Sequence, residues 1–202
     1  MLSSHRLFFR ESLRSFGPTA ALFPSSRYLA GALLRSIDFR KARTIVELGP
    51  GTGAVTKEIL RRLRPDGRLL AIDINPAFIG HLDRMFSDSR LISHSGDATA
   101  LLAVLSAYGI DSADAVVSSL GLTGMNPKSR VSILRQIRSC LSCEGTLTQY
   151  QYVHASAGYL DLREMRFCRF NEGVFLRKYF KEVKVGHVLL NVPPALVFTC
   201  RK

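Results

Sequence analysis

Glu47, Gly49, Pro50, Gly51, Thr52 and Gly53 stand within seven residues of one another, directly after the β-branched run Thr44, Ile45 and Val46. The residues that follow, AVTKEILRRL, have the spacing of an amphipathic helix. Three glycines therefore fall where a strand must reverse tightly into a helix, and where a ligand can lie against bare backbone. The chemistry implied is nucleotide binding. About twenty residues further on, the apolar run RLLAIDI ends in Asp73 and Ile74, at the place where doubly wound folds set a carboxylate on ribose hydroxyls. No Gly-Lys-Ser/Thr follows the glycines, which excludes a P-loop, and the third glycine of the pyrophosphate-binding GxGxxG pattern is missing.

The elements needed to position these residues can be read from periodicity. Strands are expected near 44–48, 68–73, 90–95, 113–119, 145–153, 181–190 and 195–201, with helices between the first five. The third run leads to Gly96, Asp97 and Ala98; the fourth carries Asp114 at its start and ends on the small polar pair Ser118 and Ser119. Asn191, Val192, Pro193 and Pro194 form a turn that returns the last strand antiparallel. A chain of 202 residues with 47% hydrophobic content can bury one sizeable core, and no repeat or low-complexity linker divides it. The fold class is α/β: a Rossmann-like, seven-stranded, mostly parallel sheet with an antiparallel last strand, helices on both faces and an N-terminal helical extension. Residues 1–35 are assigned to that extension and 36–202 to the catalytic domain.

The net charge of +12 points to an anionic partner, either nucleic-acid phosphate or an acidic lipid surface. Residues 1–43 hold eight basic residues against Glu11 and Asp38. On a helix, Leu2, Phe9, Leu13 and Phe16 share one narrow face, and Arg6, Arg10 and Arg14 line its flank. This pattern suits a helix lying in a membrane interface, with its guanidiniums at the headgroups, and equally a helix that caps the domain as a lid. No stretch approaches the ~20 apolar residues of a bilayer span. Arg10, Glu11 and Arg14 interrupt any signal-peptide core, so a cytoplasmic location is expected. Cys140 and Cys143 form a lone CxxC without the second ligand pair of a zinc site, and no metal is expected.

ELGPGTG with Asp73 at the next strand end resembles motif I of the class I S-adenosylmethionine-dependent methyltransferases. Together with the PSSR segment (Pro24 to Arg27) and NVPPA (Asn191 to Ala195), the whole chain looks like a small soluble bacterial phospholipid N-methyltransferase. The resemblance implies S-adenosylmethionine as cofactor, held by Ser25, Ser26, Glu47, Gly49 to Gly53, Asp73, Ile74, Asp97, Ala98 and Ser118, with Asp97 accepting from the adenine amine. It implies stepwise methylation of the phosphatidylethanolamine amine toward phosphatidylcholine, on the inner face of the cytoplasmic membrane, with a phospholipid as substrate and an anionic membrane surface as partner of the basic N-terminus.

Methyl transfer from a sulfonium is an in-line displacement, so the attacking amine must be neutral although a free alkylammonium has a pKa of ~10.4. Aromatic faces desolvate such an amine and attract the growing cation. Tyr28, Tyr150 and Tyr152 are the candidates, with His154 as proton acceptor or phosphate contact. Tyr150 and Tyr152 share one strand face and Gln149 and Gln151 the other, so at most one pair lines the pocket. Two other functions fit parts of the pattern. Ribosomal adenine dimethylases resemble the chain in motif I and basic charge, but carry an Asn-Pro-Pro-aromatic sequence where Ser118, Ser119, Leu120 and Gly121 stand here. A non-catalytic S-adenosylmethionine- or lipid-binding module is the third reading.

Overall fold

Alternation along each strand sends successive side chains to opposite faces, and both faces are apolar here, as a parallel sheet covered by helices requires. The computed structural model describes residues 26–156, 159–161, 166–168 and 170–202. Helix α1 (Arg27–Leu34) is followed by β1 (Thr44–Leu48), α2 (Ala54–Arg62), β2 (Arg68–Asp73), α3 (Pro76–Met85), β3 (Leu91–Ser95), α4 (Leu101–Ala107), β4 (Ala113–Ser118), α5 (Pro127–Cys140) and β5 (Leu141–Tyr152). Then come the single turn α6 (Val153–Ser156), the strands β6 (Tyr159–Asp161) and β7 (Arg166–Cys168), α7 (Glu172–Leu176), β8 (Glu182–Val188) and β9 (Ala195–Arg201). The main sheet has seven strands in the order β3-β2-β1-β4-β5-β9-β8. The first five are parallel, and β9 runs antiparallel to both its neighbours. The expected architecture is therefore present, including the antiparallel last strand.

Ile45, Leu69, Ala115 and Val117 pack against Leu29, Leu33, Val55 and Ile59 on one face of the sheet. Val46, Leu70, Val116 and Leu147 meet Leu101, Leu105, Ile133 and Ile137 on the other. Helix α1 thus packs into the body of the domain. The basic stretch 2–16 and Ser25 lie outside the described residues.

Two Asn-Pro pairs start helices: Asn75 accepts from the Ala77 amide at 2.9 Å before Pro76, and Asn126 accepts from the Lys128 amide at 2.9 Å before Pro127.

Several boundaries differ from the sequence reading. Strand β5 begins at Leu141 rather than 145, because a register shift opposite Ala113 and Ala115 absorbs extra residues. Gly145 permits it: a Cβ there would lie 2.9 Å from the Ser142 backbone nitrogen and 3.0 Å from the Ala113 oxygen. The strand expected over 181–190 stops at Val188. The hairpin β6–β7 and helices α6 and α7 were not foreseen. They are three to five residues long, too short for apolar periodicity to register. Cys140 is buried with its thiol toward the Ile137 carbonyl while Cys143 is exposed, so the CxxC does not converge. Among the described residues no helix is long and apolar enough to cross a membrane.

Candidate functional site

The loop after β1 takes the left-handed backbone three times, at Gly49 (φ 74°), Gly51 (φ 54°) and Gly53 (φ 81°), which is why glycine recurs at alternate positions. Gly53 also caps α2, and a Cβ there would stand 2.9 Å from the Phe86 ring. A Cβ on Gly49 would meet Leu120 at 3.2 Å, so the loop touches the end of β4 directly. Asp73 ties the loop to β2. Its Oδ2 accepts from the Gly51 amide at 3.3 Å and its Oδ1 from the Asn75 amide at 2.9 Å.

Glu47 lies beneath this loop, 0% exposed. Its Oε2 accepts from the Thr56 hydroxyl at 2.7 Å, and its Oε1 has no partner among the described residues. Burial, aided by the nearby Asp73 charge, pushes its carboxyl up to about 8. Burial also raises Asp73. Two adjacent carboxyls, one with an open oxygen and neither in an ion pair among the described residues, suit a ligand that brings positive charge. S-adenosylmethionine does so through its ammonium and sulfonium, and the residues present fit it. Ile74, 62% exposed beside Asp73, offers an apolar surface for a planar base.

The remaining cofactor candidates gather at the same sheet edge. Asp97 is exposed; its Oδ1 accepts from the Thr99 amide at 2.8 Å, starting the 3-10 turn in which Ala98 is buried. Ser118 is buried at the end of β4, where the Leu120 amide reaches its hydroxyl at 3.4 Å. Ser26 caps α1: its hydroxyl accepts from the Leu29 amide at 3.2 Å.

On β5 the alternation expected from sequence is observed. Tyr150 and Tyr152 join the core face that carries α1, their rings edge to face at 5.3 Å, and the His154 ring stacks on Tyr152 at 5.6 Å. Gln149 and Gln151 take the other face, donating to the Leu120 carbonyl at 2.8 Å and the Thr123 hydroxyl at 3.0 Å. Tyr28 is exposed, and its hydroxyl accepts from the Arg27 guanidinium at 2.9 Å.

A polar cluster that the sequence did not reveal stands behind Gln149. Glu172, 1% exposed, has an Oε1 without a partner among the described residues, and burial holds its carboxyl up at about 8 despite the Gln149 amide and the Arg130 charge. Arg130 is itself buried, 3.9 Å above the Phe170 ring, with Nη2 donating to the Met125 carbonyl at 2.7 Å. In sequence, Asn171-Glu172 reads only as a helix start with an acid in its first turn.

These two carboxyls set an expected pH dependence. Unfolded, Glu47 and Glu172 ionise at the ordinary carboxyl value; folded, they keep their protons until about pH 8. The native state binds more protons across that window, so apoprotein stability is fully present at the low end and falls as pH rises toward 8. The depressed carboxyls, such as Asp88 near 2, act only below the window. His81, lowered by burial, opposes the trend just below the ordinary imidazole value. Glu172→Gln is expected to flatten the decline of the urea midpoint between pH 6.5 and 8, with these numbers marking about the window. An identical slope in the variant would overturn the assignment of its proton.

Comparison with known proteins agrees with the geometry. Residues 45–145 match the family model described as "Methyltransferase domain". The chain is similar to the ornithine lipid N-methyltransferase of Singulisphaera acidiphila, 31% identical over 196 residues, which is 96% of this chain and 94% of that protein. It is also 33% identical over 78 residues to the ribosomal RNA small subunit methyltransferase A of Laribacter hongkongensis, a match spanning 39% of this chain and 29% of that one. Among solved structures, the 1,6-didemethyltoxoflavin-N1-methyltransferase of Burkholderia thailandensis, with 1,6-didemethyltoxoflavin and S-adenosylhomocysteine bound, shares the fold. The TM-score is 0.67 at 20% identity, over 99% of this chain and 86% of that one.

Proposed function

The chain belongs to the class I S-adenosylmethionine-dependent methyltransferases, and we propose that it is a lipid N-methyltransferase whose substrate is the headgroup amine of phosphatidylethanolamine and its methylated intermediates. The observation that carries this reading is the similarity to an ornithine lipid N-methyltransferase along nearly the whole of both chains. Ornithine lipid and phosphatidylethanolamine both present an amine on a short polar headgroup above two acyl chains. The ribosomal RNA methyltransferase match covers less than a third of that protein, and Ser118 to Gly121 replace the base-stacking sequence expected of that class.

S-adenosylmethionine supplies an electrophilic methyl group. The chain's own residues bind and orient. The glycine loop offers bare backbone; Asp73 would accept from ribose hydroxyls, Ile74 would cover the base, Asp97 would accept from its amine, and Glu47, protonated in the apoprotein, would ionise to balance the incoming positive charge from below. At the end of β4, Ser118 and the adjoining backbone mark where the acceptor nitrogen must arrive. That nitrogen has to lose a proton before it attacks, and His154, stacked on Tyr152, is the assigned acceptor. Tyr152 is 8% exposed and spends one face on His154, so Tyr28 is the aromatic with surface to give to a methylated ammonium. The exposed Arg27 guanidinium, 4.9 Å from the Tyr28 ring centre, is the cation that would meet the headgroup phosphate.

Labelled S-adenosylmethionine tests the assignment, given with vesicles of phosphatidylethanolamine, vesicles of ornithine lipid, or total RNA. Label is expected in the phosphatidylethanolamine fraction. Label confined to ornithine lipid would replace the headgroup and keep the lipid amine; label in RNA alone would reject both.

A further inference from the structure

The turn joining β8 to β9 exposes three large aliphatic side chains within four residues: Leu189 at 73%, Leu190 at 70% and Val192 at 73%. Asn191 among them is 2% exposed. Its Oδ1 accepts from the Ser26 amide at 3.4 Å, and its Nδ2 donates to the Pro193 carbonyl at 2.6 Å. Next to it the Pro194 carbonyl accepts from the Val153 amide at 2.9 Å. The polar residue is thus pinned inward and the apolar ones are held out, the reverse of what a connecting turn in water needs.

The position of the turn gives this inversion a use. Strand β8 runs antiparallel to β9 and hence parallel to β1 and β4, so its end lies on the same sheet edge as the glycine loop. Two strand spacings, roughly 10 Å, separate β9 from β4 laterally, and the turn stands beyond the level of Ser118, which pairs with Gln149 while Ala195 pairs with Tyr152. Ser26, which holds Asn191, is followed directly by Arg27 and Tyr28, an exposed cation and an amphipathic ring. Such a pair favours the headgroup layer, where an anionic phosphate meets the guanidinium.

We propose that the Leu189–Val192 turn is a membrane wedge: Leu189, Leu190 and Val192 enter the acyl boundary of an anionic bilayer while Arg27 meets lipid phosphate, and the sheet edge is thereby held over its substrate. The proposal rests on the lipid reading above for its purpose, though vesicle binding can be measured without it. It differs from the interfacial helix expected over residues 2–16, because it uses a rigid turn near the other end of the chain.

The full-length protein is sedimented with vesicles of phosphatidylethanolamine and phosphatidylglycerol, as wild type and as Leu189→Ser/Leu190→Ser/Val192→Ser. Loss of three inserted aliphatics is expected to lower partitioning by on the order of a hundredfold, with the melting temperature and S-adenosylmethionine affinity unchanged. The chain has no tryptophan, so Leu190→Trp supplies a single reporter whose emission is expected to shift blue on vesicles. Equal partitioning of wild type and triple variant, or an unshifted reporter, overturns the wedge. A variant that loses melting temperature but not vesicle affinity also overturns it. If wild type labels vesicle lipid and the triple variant binds as it does, the wedge falls and the substrate reading stands. If wild type binds through the turn but labels only RNA, the wedge stands and the substrate reading falls.

Discussion

Gly51→Val is expected to yield a folded protein that no longer binds S-adenosylmethionine. Gly51 sits at φ 54°, a region where a β-branched residue is a genuine outlier, with a cost of about 1–2 kcal/mol for an ordinary side chain and more for valine. That cost is small beside the ~5–15 kcal/mol that holds a domain together, so the fold survives. The loop does not survive unchanged. The Gly51 amide donates to Asp73 Oδ2, and moving the backbone to relieve valine shifts the carboxylate assigned to the ribose as well as the bare peptide assigned to the cofactor. Asp73→Ala removes one charged acceptor and leaves the loop its glycines, so its loss should be smaller, about 1.5–3 kcal/mol. Calorimetry on both variants, with circular dichroism to confirm folding, checks the order. Wild-type affinity in folded Gly51→Val would remove this loop from the cofactor site.

The difference between what sequence could and could not reveal follows the range of the interactions involved. The glycine loop, Asp73 and the five parallel strands were legible because each depends on chemistry within a few residues: positive φ at Gly49, Gly51 and Gly53, and apolar runs ending in a carboxylate or a small polar pair. The alternation of Tyr150 and Tyr152 against Gln149 and Gln151 was legible for the same reason. Glu172 was not. Its raised proton affinity comes from burial between α5, α7 and β5, whose residues lie tens of positions apart, and a lone Glu after Asn carries no mark of it. The early start of β5 depends on Gly145 fitting against Ala113, again a contact between distant residues. The turn at Leu189–Val192 was visible as a turn, but its inverted exposure depends on Ser26 capturing Asn191 across 165 positions of the chain.

Replacing Arg6, Arg10 and Arg14 together by glutamine is expected to weaken binding to anionic vesicles by about 3 kcal/mol, since each basic residue near such a surface contributes about 1 kcal/mol. That is on the order of a hundredfold in partitioning. On the helix expected over residues 2–16, the three arginines would flank the apolar face of Leu2, Phe9, Leu13 and Phe16. Their contribution is electrostatic, so it should vanish on neutral vesicles and shrink as salt shortens the reach of charge. The turn substitutions behave differently, because buried aliphatics do not sense the sign of the surface: their defect should persist on neutral vesicles and at high salt. Sedimentation across a series of anionic lipid contents therefore separates the two contacts. An arginine defect of equal size on neutral and anionic vesicles would make residues 2–16 a lid over the domain. If the wild type stays in the supernatant at every composition while binding RNA in a salt-dependent manner, the polyanion that its positive charge recognises is nucleic acid.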